Sequence, residues 1–370
     1  MLKLSTPHLG EEEITAVANV LRSGNLVQGK ECEIFEEELA SYLGIAEVVL
    51  VTSGTAALHL SLVSLGIGAD DAVLVPNFSF VATANVVKLV GARPIFVDVD
   101  KANYNVTKES ILDAINRYDG DENLRAIIPV HNFGCPADMT MIMELAEQYN
   151  LIVIEDAACA IGAEHNSSKV GVFGEVGCFS FHPRKIVTTG EGGAICTKNG
   201  VLADNLRLLR NHGIDRSQKA IDYVLAGYNY RMTDFQAAIG RVQLRKLSDA
   251  LFKRRQLKTV YLEGLSEVEG ISLPQNIVGH SWQTFMIALD ENISRPEIID
   301  YLRKNCFESA MGSQSMVSLK TYTEYFKSYM EKWNSLTLFK QGLALPFCEQ
   351  YREGQLDRLV NLLKSYIQKI

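Results

Sequence analysis

Several features that would place this chain in other classes are missing from it. No apolar run reaches the ~18 residues that a membrane span needs. The amino terminus, MLKLSTPHLGEEEITAVANVL, has no basic start followed by an apolar stretch, so no secretory signal is expected there. The seven cysteines, Cys32, Cys135, Cys159, Cys178, Cys196, Cys306 and Cys348, stand singly, with no CxxC pair and an odd count. They read as thiols of a reducing cytoplasm rather than as a disulfide framework. No His/Cys spacing of a metal site occurs. A basic excess is also missing: the net charge of −8 disfavours nonspecific nucleic-acid binding. That balance still permits an anionic ligand, because backbone N–H groups and a few local cations can hold a phosphate. Internal repeats and low-complexity linkers are absent.

What remains is an ordinary globular composition, 47% hydrophobic and 22% charged, in 370 residues, a length that suggests about two domains. Strand-like runs alternate with helical stretches through the first two thirds. EVVLVTSG (47–54), DAVLVP (71–76), RPIFVDVD (93–100), RAIIPVHNFG (125–134), LIVIEDAA (151–158), GCFSF (177–181) and GGAICT (192–197) form the strand series. Such short, continuous, β-branched runs suit strands buried on both faces, and intervening helices such as 55–67 and 80–91 imply βαβ units in a mainly parallel sheet. The pattern changes near residue 235. A long helix is expected over 234–265, then a strand at WQTFMIAL (282–289) and a final amphipathic helix from Gln355. We expect a large α/β domain over 1–245 and a smaller carboxy-terminal α+β domain over 246–370.

Three places carry chemistry. The turn Ser53–Leu58 lies where a strand ends and a helix begins. Gly54 allows close backbone approach there, and Thr55 offers a side-chain donor. Free amides and the helix dipole suit such a turn to a phosphate, although a plain helix cap would look the same. It is not a Walker loop, since the Gly-Lys-[Ser/Thr] ending is missing. In LIVIEDAA, Glu155 and Asp156 close an apolar strand, and as neighbours they point to opposite faces. A carboxylate at a parallel strand's carboxyl end lies where α/β sheets bind ligands. It could hold a proton on a pyridine nitrogen, or it could cap a loop or bind a metal. In CFSFHPRKIVTTGEGGAICT (178–197), Lys185 follows a short strand and precedes a Gly-rich turn. A lysine there could attack an aldehyde once deprotonated, whereas most lysines are solvated charges. In chain order the three places supply a phosphate anchor, a pyridinium partner and an aldehyde-binding amine. These are the contacts that pyridoxal 5′-phosphate (PLP) requires.

With these residues in view, the chain resembles the DegT/DnrJ/EryC1/StrS aminotransferases, a sugar-acting branch of the fold-type-I, aspartate-aminotransferase-like PLP enzymes. The resemblance runs through 23–44, 53–87, 91–100, 129–139, 154–165, 179–195, 210–215 and 227–240, nearly the whole chain. It implies a mainly parallel seven-stranded sheet in the large domain. It also implies that Lys185 is the Schiff-base lysine and proton shuttle and that Asp156 is the partner of the pyridine nitrogen. By the same resemblance, Gly54, Thr55, Ala56 and Ser180 hold the phosphate and Phe80 stacks on the ring. Asn229 is similar to an asparagine that reaches the phosphate of the neighbouring subunit, which implies a homodimer with shared sites. Some relatives carry histidine at the position of Lys185 and are sugar dehydratases, so the lysine favours transamination. Many relatives have glutamine where Cys159 stands, and cysteine is a weak hydrogen-bond partner.

The substrate pocket is expected to draw on the amino-terminal segment 1–30, especially Asn25–Gln28, and on 182–191 and 306–330, with His182, Glu191 and Gln314 as substrate-binding candidates. The implied reaction moves an amino group from L-glutamate to C4 or C3 of a nucleotide-linked keto-deoxysugar by a ping-pong route, in amino-sugar or polysaccharide biosynthesis. The alternatives are amination of a cyclic non-sugar ketone (a cyclitol or an aminohydroxybenzoate precursor) and a PLP-binding regulatory protein without turnover. Neither a metal, a nucleic acid nor a membrane is an expected partner.

Overall fold

The computed structural model describes residues 1–215 and 221–369. Its centre is a seven-stranded sheet. In chain order the strands are β1 (Glu47–Val51), β2 (Asp71–Pro76), β3 (Arg93–Val97), β4 (Asn123–Ile127), β5 (Ile152–Asp156), β6 (Val176–Ser180) and β7 (Gly193–Thr197). Across the sheet the order is β1-β7-β6-β5-β4-β2-β3. All neighbours pair in parallel except β7, which is antiparallel to both β1 and β6. The exception has a simple cause. No helix separates β6 from β7, and a parallel return needs a crossover.

Alternation along the strands supplies both faces of the sheet. Val49, Val51, Val73, Val75, Ile154 and Ile195 face one layer of helices: α3 (Gly54–Ser64), α4 (Ala82–Leu89) and α7 (Gly200–Arg210). Val48, Leu50, Phe179, Ala194 and Cys196 face the other side. There they meet α2 (Lys30–Leu43) and the first half of α8 (Asp234–Gly264). On the same side Leu74, Ile127 and Val153 pack on α5 (Lys108–Arg117) and α6 (Met139–Tyr149). A sheet covered on both faces explains why its strands read as continuous apolar runs.

Helix α8 starts at a capping box in which the Thr233 amide donates to Gln236 Oε1 at 3.1 Å. Its 31 residues span about 46 Å at 1.5 Å per residue. Ala237 and Leu247 pack in the large core, and Leu257 and Tyr261 in the small one. The small domain is an antiparallel sheet of β8 (Ile271–Ser272), β9 (Phe285–Leu289), β10 (Ala310–Met311) and β11 (Gly342–Leu345), in the order β8-β9-β11-β10. It packs on helices α9 (Arg295–Lys304) and α11 (Glu353–Ile367).

The packing divides the chain differently from a cut at 245. Residue 245 lies inside α8. The stretch from Gln314 to α10 (Asn334–Gln341) also returns to the large domain. There Gln314–Ser315 pairs with Phe78–Ser79, and Met316, Val317 and Tyr322 join the large core. At the other end, residues 2–6 belong with the small domain: Leu2 N–H donates to Cys306 O at 2.7 Å, and Phe347 N–H to Leu4 O at 2.9 Å. Helix α1 (Glu11–Ser23) lies on α8, with buried Glu13 taking Lys246 Nζ at 2.8 Å. Among the described residues, no helix is long and apolar enough to cross a membrane.

Candidate active site

The chemistry collects at the carboxyl ends of the parallel strands, where α/β sheets place ligands. Asp156 is the last residue of β5 and Ser180 the last of β6, while Gly54 opens α3 just beyond β1. Asp156 is buried at 4% exposure. Its Oδ2 accepts from Thr83 Oγ1 at 2.8 Å and its Oδ1 from the Ala158 amide at 3.1 Å. Burial pushes its carboxyl above the usual range, against the hydroxyl and amide donors and the nearby charge of Lys185. A cation placed against this carboxylate would therefore be strongly favoured.

Its neighbour Glu155 points the other way, as strand alternation requires. Fully buried, it accepts from the amides of Gly171 (2.7 Å), Phe173 (2.7 Å) and Gly174 (2.9 Å). His131 completes its shell at 3.1 Å. Because His131 Nδ1 accepts from the Ala137 amide, Nε2 carries the proton and donates to Glu155. Glu155 is thus the loop-capping acid of the pair, and Asp156 the one that faces the site.

Lys185 ends a tight turn. Its amide donates to His182 O at 2.8 Å, and Nζ donates to Cys159 Sγ at 2.8 Å. Cys159 follows Asp156 by three residues, so the lysine amine and the carboxylate are anchored to one short stretch. In this structure the thiol holds the lysine.

The residues expected to form a phosphate cradle are brought together by close approach. A Cβ on Gly54 would lie 2.7 Å from Ser180 Cβ, and one on Gly193 would lie 2.5 Å from the Ser53 carbonyl. Glycine at both positions lets α3's first turn, whose amides lack i−4 acceptors, close onto the Ser180 hydroxyl. Ser53, rather than Thr55, is the helix cap: its Oγ accepts from the Ala56 amide at 3.1 Å. Of the three residues expected to hold the phosphate from this turn, Ala56 therefore has its amide already engaged. Thr55 is exposed.

Phe80 leaves 64% of its surface exposed, beside the turn that carries Thr83. Thr83 lies one helical turn on, bonds Asp156, and approaches the Phe80 carbonyl at 3.3 Å. An exposed aromatic face, a buried anion, an amine and a glycine cradle fit a planar, phosphorylated pyridine aldehyde. Thr83 escaped the sequence reading, although its i+3 spacing from Phe80 put the two on one side of the chain.

The remaining candidates are more scattered. His182 is partly buried, and its pKa is lowered, first by burial and then by the charges of Lys185 and Arg184; Glu191 opposes the shift. Glu191 is exposed, and its backbone carbonyl is what accepts from Thr189 Oγ1 and Gln236 Nε2. Gln314 pairs in register with Ser79, next to Phe80, and its Oε1 is buried without a protein partner. Asn229 is exposed and bridges Asn211. No hydrogen bond among the described residues joins it to Lys185 or Asp156. Segment 1–30 makes its bonds to the small domain, to α8 and to Arg210.

A model of the DegT/DnrJ/EryC1/StrS aminotransferase family matches residues 7–364. An uncharacterised protein of Methanocaldococcus jannaschii, MJ1066, is 35% identical, covering 98% of this chain and 96% of that one. The aminotransferase TlmJ of Streptoalloteichus hindustanus superposes with a TM-score of 0.92 at 29% identity, over 100% of this chain and 99% of that one. Spr1654 of Streptococcus pneumoniae, a proposed sugar aminotransferase, superposes at 0.91 in its PMP form. It is 25% identical over 99% and 97% of the two chains, and it has also been solved in a PLP form.

Proposed function

The chain belongs to the DegT/DnrJ/EryC1/StrS aminotransferase family, whose members depend on PLP, and from that membership we propose that it moves an amino group from L-glutamate to C4 or C3 of a nucleotide-linked keto-deoxysugar. The observation that carries the reading is the convergence of Lys185, Asp156 and the Gly54–Ser180 cradle at the carboxyl ends of the strands. The sugar part of the proposal draws on the resemblance to Spr1654.

When bound, PLP supplies an electron sink that stabilises negative charge at the donor's Cα. The protein supplies the rest. Gly54, Thr55 and Ser180 hold the phosphate. Asp156, oriented by Thr83 and Ala158, keeps a proton on the ring nitrogen. Phe80 covers a ring face with its exposed side. Lys185 Nζ would hold the cofactor at its aldehyde carbon, and as a free amine it would take the proton from the donor's Cα and return a proton at the acceptor carbon in the second half-reaction.

Asn229 completes the phosphate site of a second copy. Its loop carries exposed Ile221, Tyr223 and Val224, apolar side chains that a homodimer contact would cover. Gln314, with its unpartnered Oε1 beside Phe80, and His182 and Glu191 face the sugar. Seven free thiols support a cytoplasmic setting.

The test has two stages. L-glutamate added to the PLP-loaded protein should bleach its visible band, and the converted protein should then aminate one member of a panel of nucleotide keto sugars. Acceptance of a cyclitol ketone or an aminohydroxybenzoate precursor, with every nucleotide sugar refused, would overturn the substrate reading. A band that no amino donor changes would overturn turnover itself.

A further inference from the structure

Residues 280–284 lead into β9 of the small sheet, yet their hydrogen bonds run toward the active site. Ser281 N–H donates to Gly134 O at 2.9 Å. The amides of Gln283 and Thr284 both donate to Phe133 O, at 2.9 and 3.3 Å. Phe133 and Gly134 lie two and three residues after His131, in the same short turn, and the His131 amide donates to the Asp156 carbonyl at 3.1 Å. One end of segment 280–284 is therefore tied to the backbone that carries the buried carboxylate.

Its other end is tied to the lysine. The side chain of Gln283, 7% exposed, donates from Nε2 to the Arg184 carbonyl at 2.7 Å. That carbonyl belongs to the peptide whose nitrogen is Lys185's. Thr284 Oγ1 donates to Gln283 Oε1 at 3.0 Å, so the amide's orientation is set from both ends.

The segment between these ties is closely packed and hydrogen-bonded. Trp282 holds φ 56° and Phe133 φ 57°, left-handed conformations that bulky residues adopt only when their surroundings impose them. The rings of His280 and Trp282 stack at 3.9 Å between centroids, 3° from parallel. Burial lowers His280's pKa to about 3, which keeps that stack neutral. Arg254, 1% exposed and paired with Glu349 at 2.8 Å, donates to the carbonyls of Trp282 (3.0 Å) and Gln283 (3.1 Å).

We propose that Gln283 is a positioning residue that fixes the spacing between the Lys185 amine and the Asp156 carboxylate. That role rests on Lys185 being the cofactor lysine. PLP is a rigid ring that must meet the amine at its aldehyde and the carboxylate at its nitrogen. A misplacement of about 1 Å between two such groups lowers a rate by about 10²-fold. Gln283 closes a link of hydrogen bonds that runs from Asp156 through the 131–134 turn and segment 281–284 to the Arg184–Lys185 peptide.

The experiment uses the full-length, cofactor-free protein mixed with PLP, and it measures how fast a borohydride-reducible adduct forms on Lys185, read by peptide mass spectrometry. Gln283→Met keeps the side chain's length and removes the donor, and should slow the adduct about tenfold. Gln283→Glu should be at least as slow at neutral pH. It should regain part of the wild-type rate as pH falls and the carboxylic acid can donate to Arg184 O. A matched control, Leu363→Ala in the small-domain core, should lose thermal stability without slowing the adduct. Wild-type rates in both Gln283 variants, or equal slowing in Leu363→Ala, would overturn the positioning role. No adduct on Lys185 in the wild type would overturn the lysine assignment, and the positioning role with it.

Discussion

Replacing Asp156 with asparagine should stabilise the cofactor-free protein while nearly abolishing its activity. The carboxyl is buried, and burial raises its pKa, so folding makes its ionisation harder. The folded state therefore binds this proton more tightly than the unfolded chain does. The contribution of this group to wild-type stability accordingly falls as pH rises from the unfolded carboxyl value of about 3.9 to the raised folded value, and is then constant. Asparagine has nothing to ionise. Its Oδ1 can keep the Ala158 amide, and its amino group can face Thr83 Oγ1 while that hydroxyl donates to Phe80 O, 3.3 Å away. Each tenfold tightening of that proton by folding is worth about 1.4 kcal/mol, roughly 1–2 °C in a chain this long.

Scanning calorimetry of both cofactor-free proteins across pH should thus show a Tm advantage for Asp156→Asn that is smallest in acid and grows as pH rises. Loading PLP should narrow it, because only the wild type then gains a charge partner. In turnover, kcat should fall by about 10²–10³-fold, the scale for losing one preorganised electrostatic contact. A variant less stable than wild type at neutral pH, or an advantage that ignores pH, would show that Asp156 does not carry a burial penalty awaiting a cation.

Two further outcomes follow from the cradle and the thiol. Gly54→Ala puts a methyl 2.7 Å from Ser180 Cβ, so the backbone must shift by an amount typically worth about 1–3 kcal/mol. PLP affinity, measured by titration, should weaken about tenfold, and unchanged affinity would remove the phosphate from this turn. Cys159, partly exposed against Lys185 Nζ, should be alkylated by iodoacetamide in the cofactor-free protein and protected once PLP covers the site. Exposed Cys306 should be modified equally in both states and serves as the internal reference. Equal labelling of Cys159 with and without PLP would place the cofactor elsewhere.

The residues that could be read from the sequence share one property: their signal is local. Strand ends, glycine turns and a lysine after a short strand are all visible within about ten residues, and the seven strands of the sheet emerged from apolar runs of that length. The antiparallel β7 follows a 12-residue connection that holds no helix, whereas a parallel return usually crosses over through one. What stayed hidden depends on distant contacts. The sequence presents Glu155 and Asp156 as a pair with interchangeable uses. Their roles separate only when the loop at 171–174 folds back to place three amides around Glu155. Thr83 lies 73 residues from the carboxylate it orients, and Gln283 lies 99 from the carbonyl it holds.

The same division explains why the single boundary at 245 misses the return of 314–341 to the large domain: pairing between Gln314–Ser315 and Phe78–Ser79 leaves no trace in either segment alone. It also bears on the substrate. Lys185, Asp156 and the Gly54–Ser180 approach are set by strand ends and short turns, so they are legible in the sequence. Gln314 reaches the site by a long excursion that brings an unpartnered buried oxygen beside Phe80. A hydrogen-bond acceptor left open in that position has no role in holding the fold, and an unsatisfied buried oxygen is destabilising until something donates to it. The residue that selects the sugar should therefore be sought on this excursion, where the sequence is least informative.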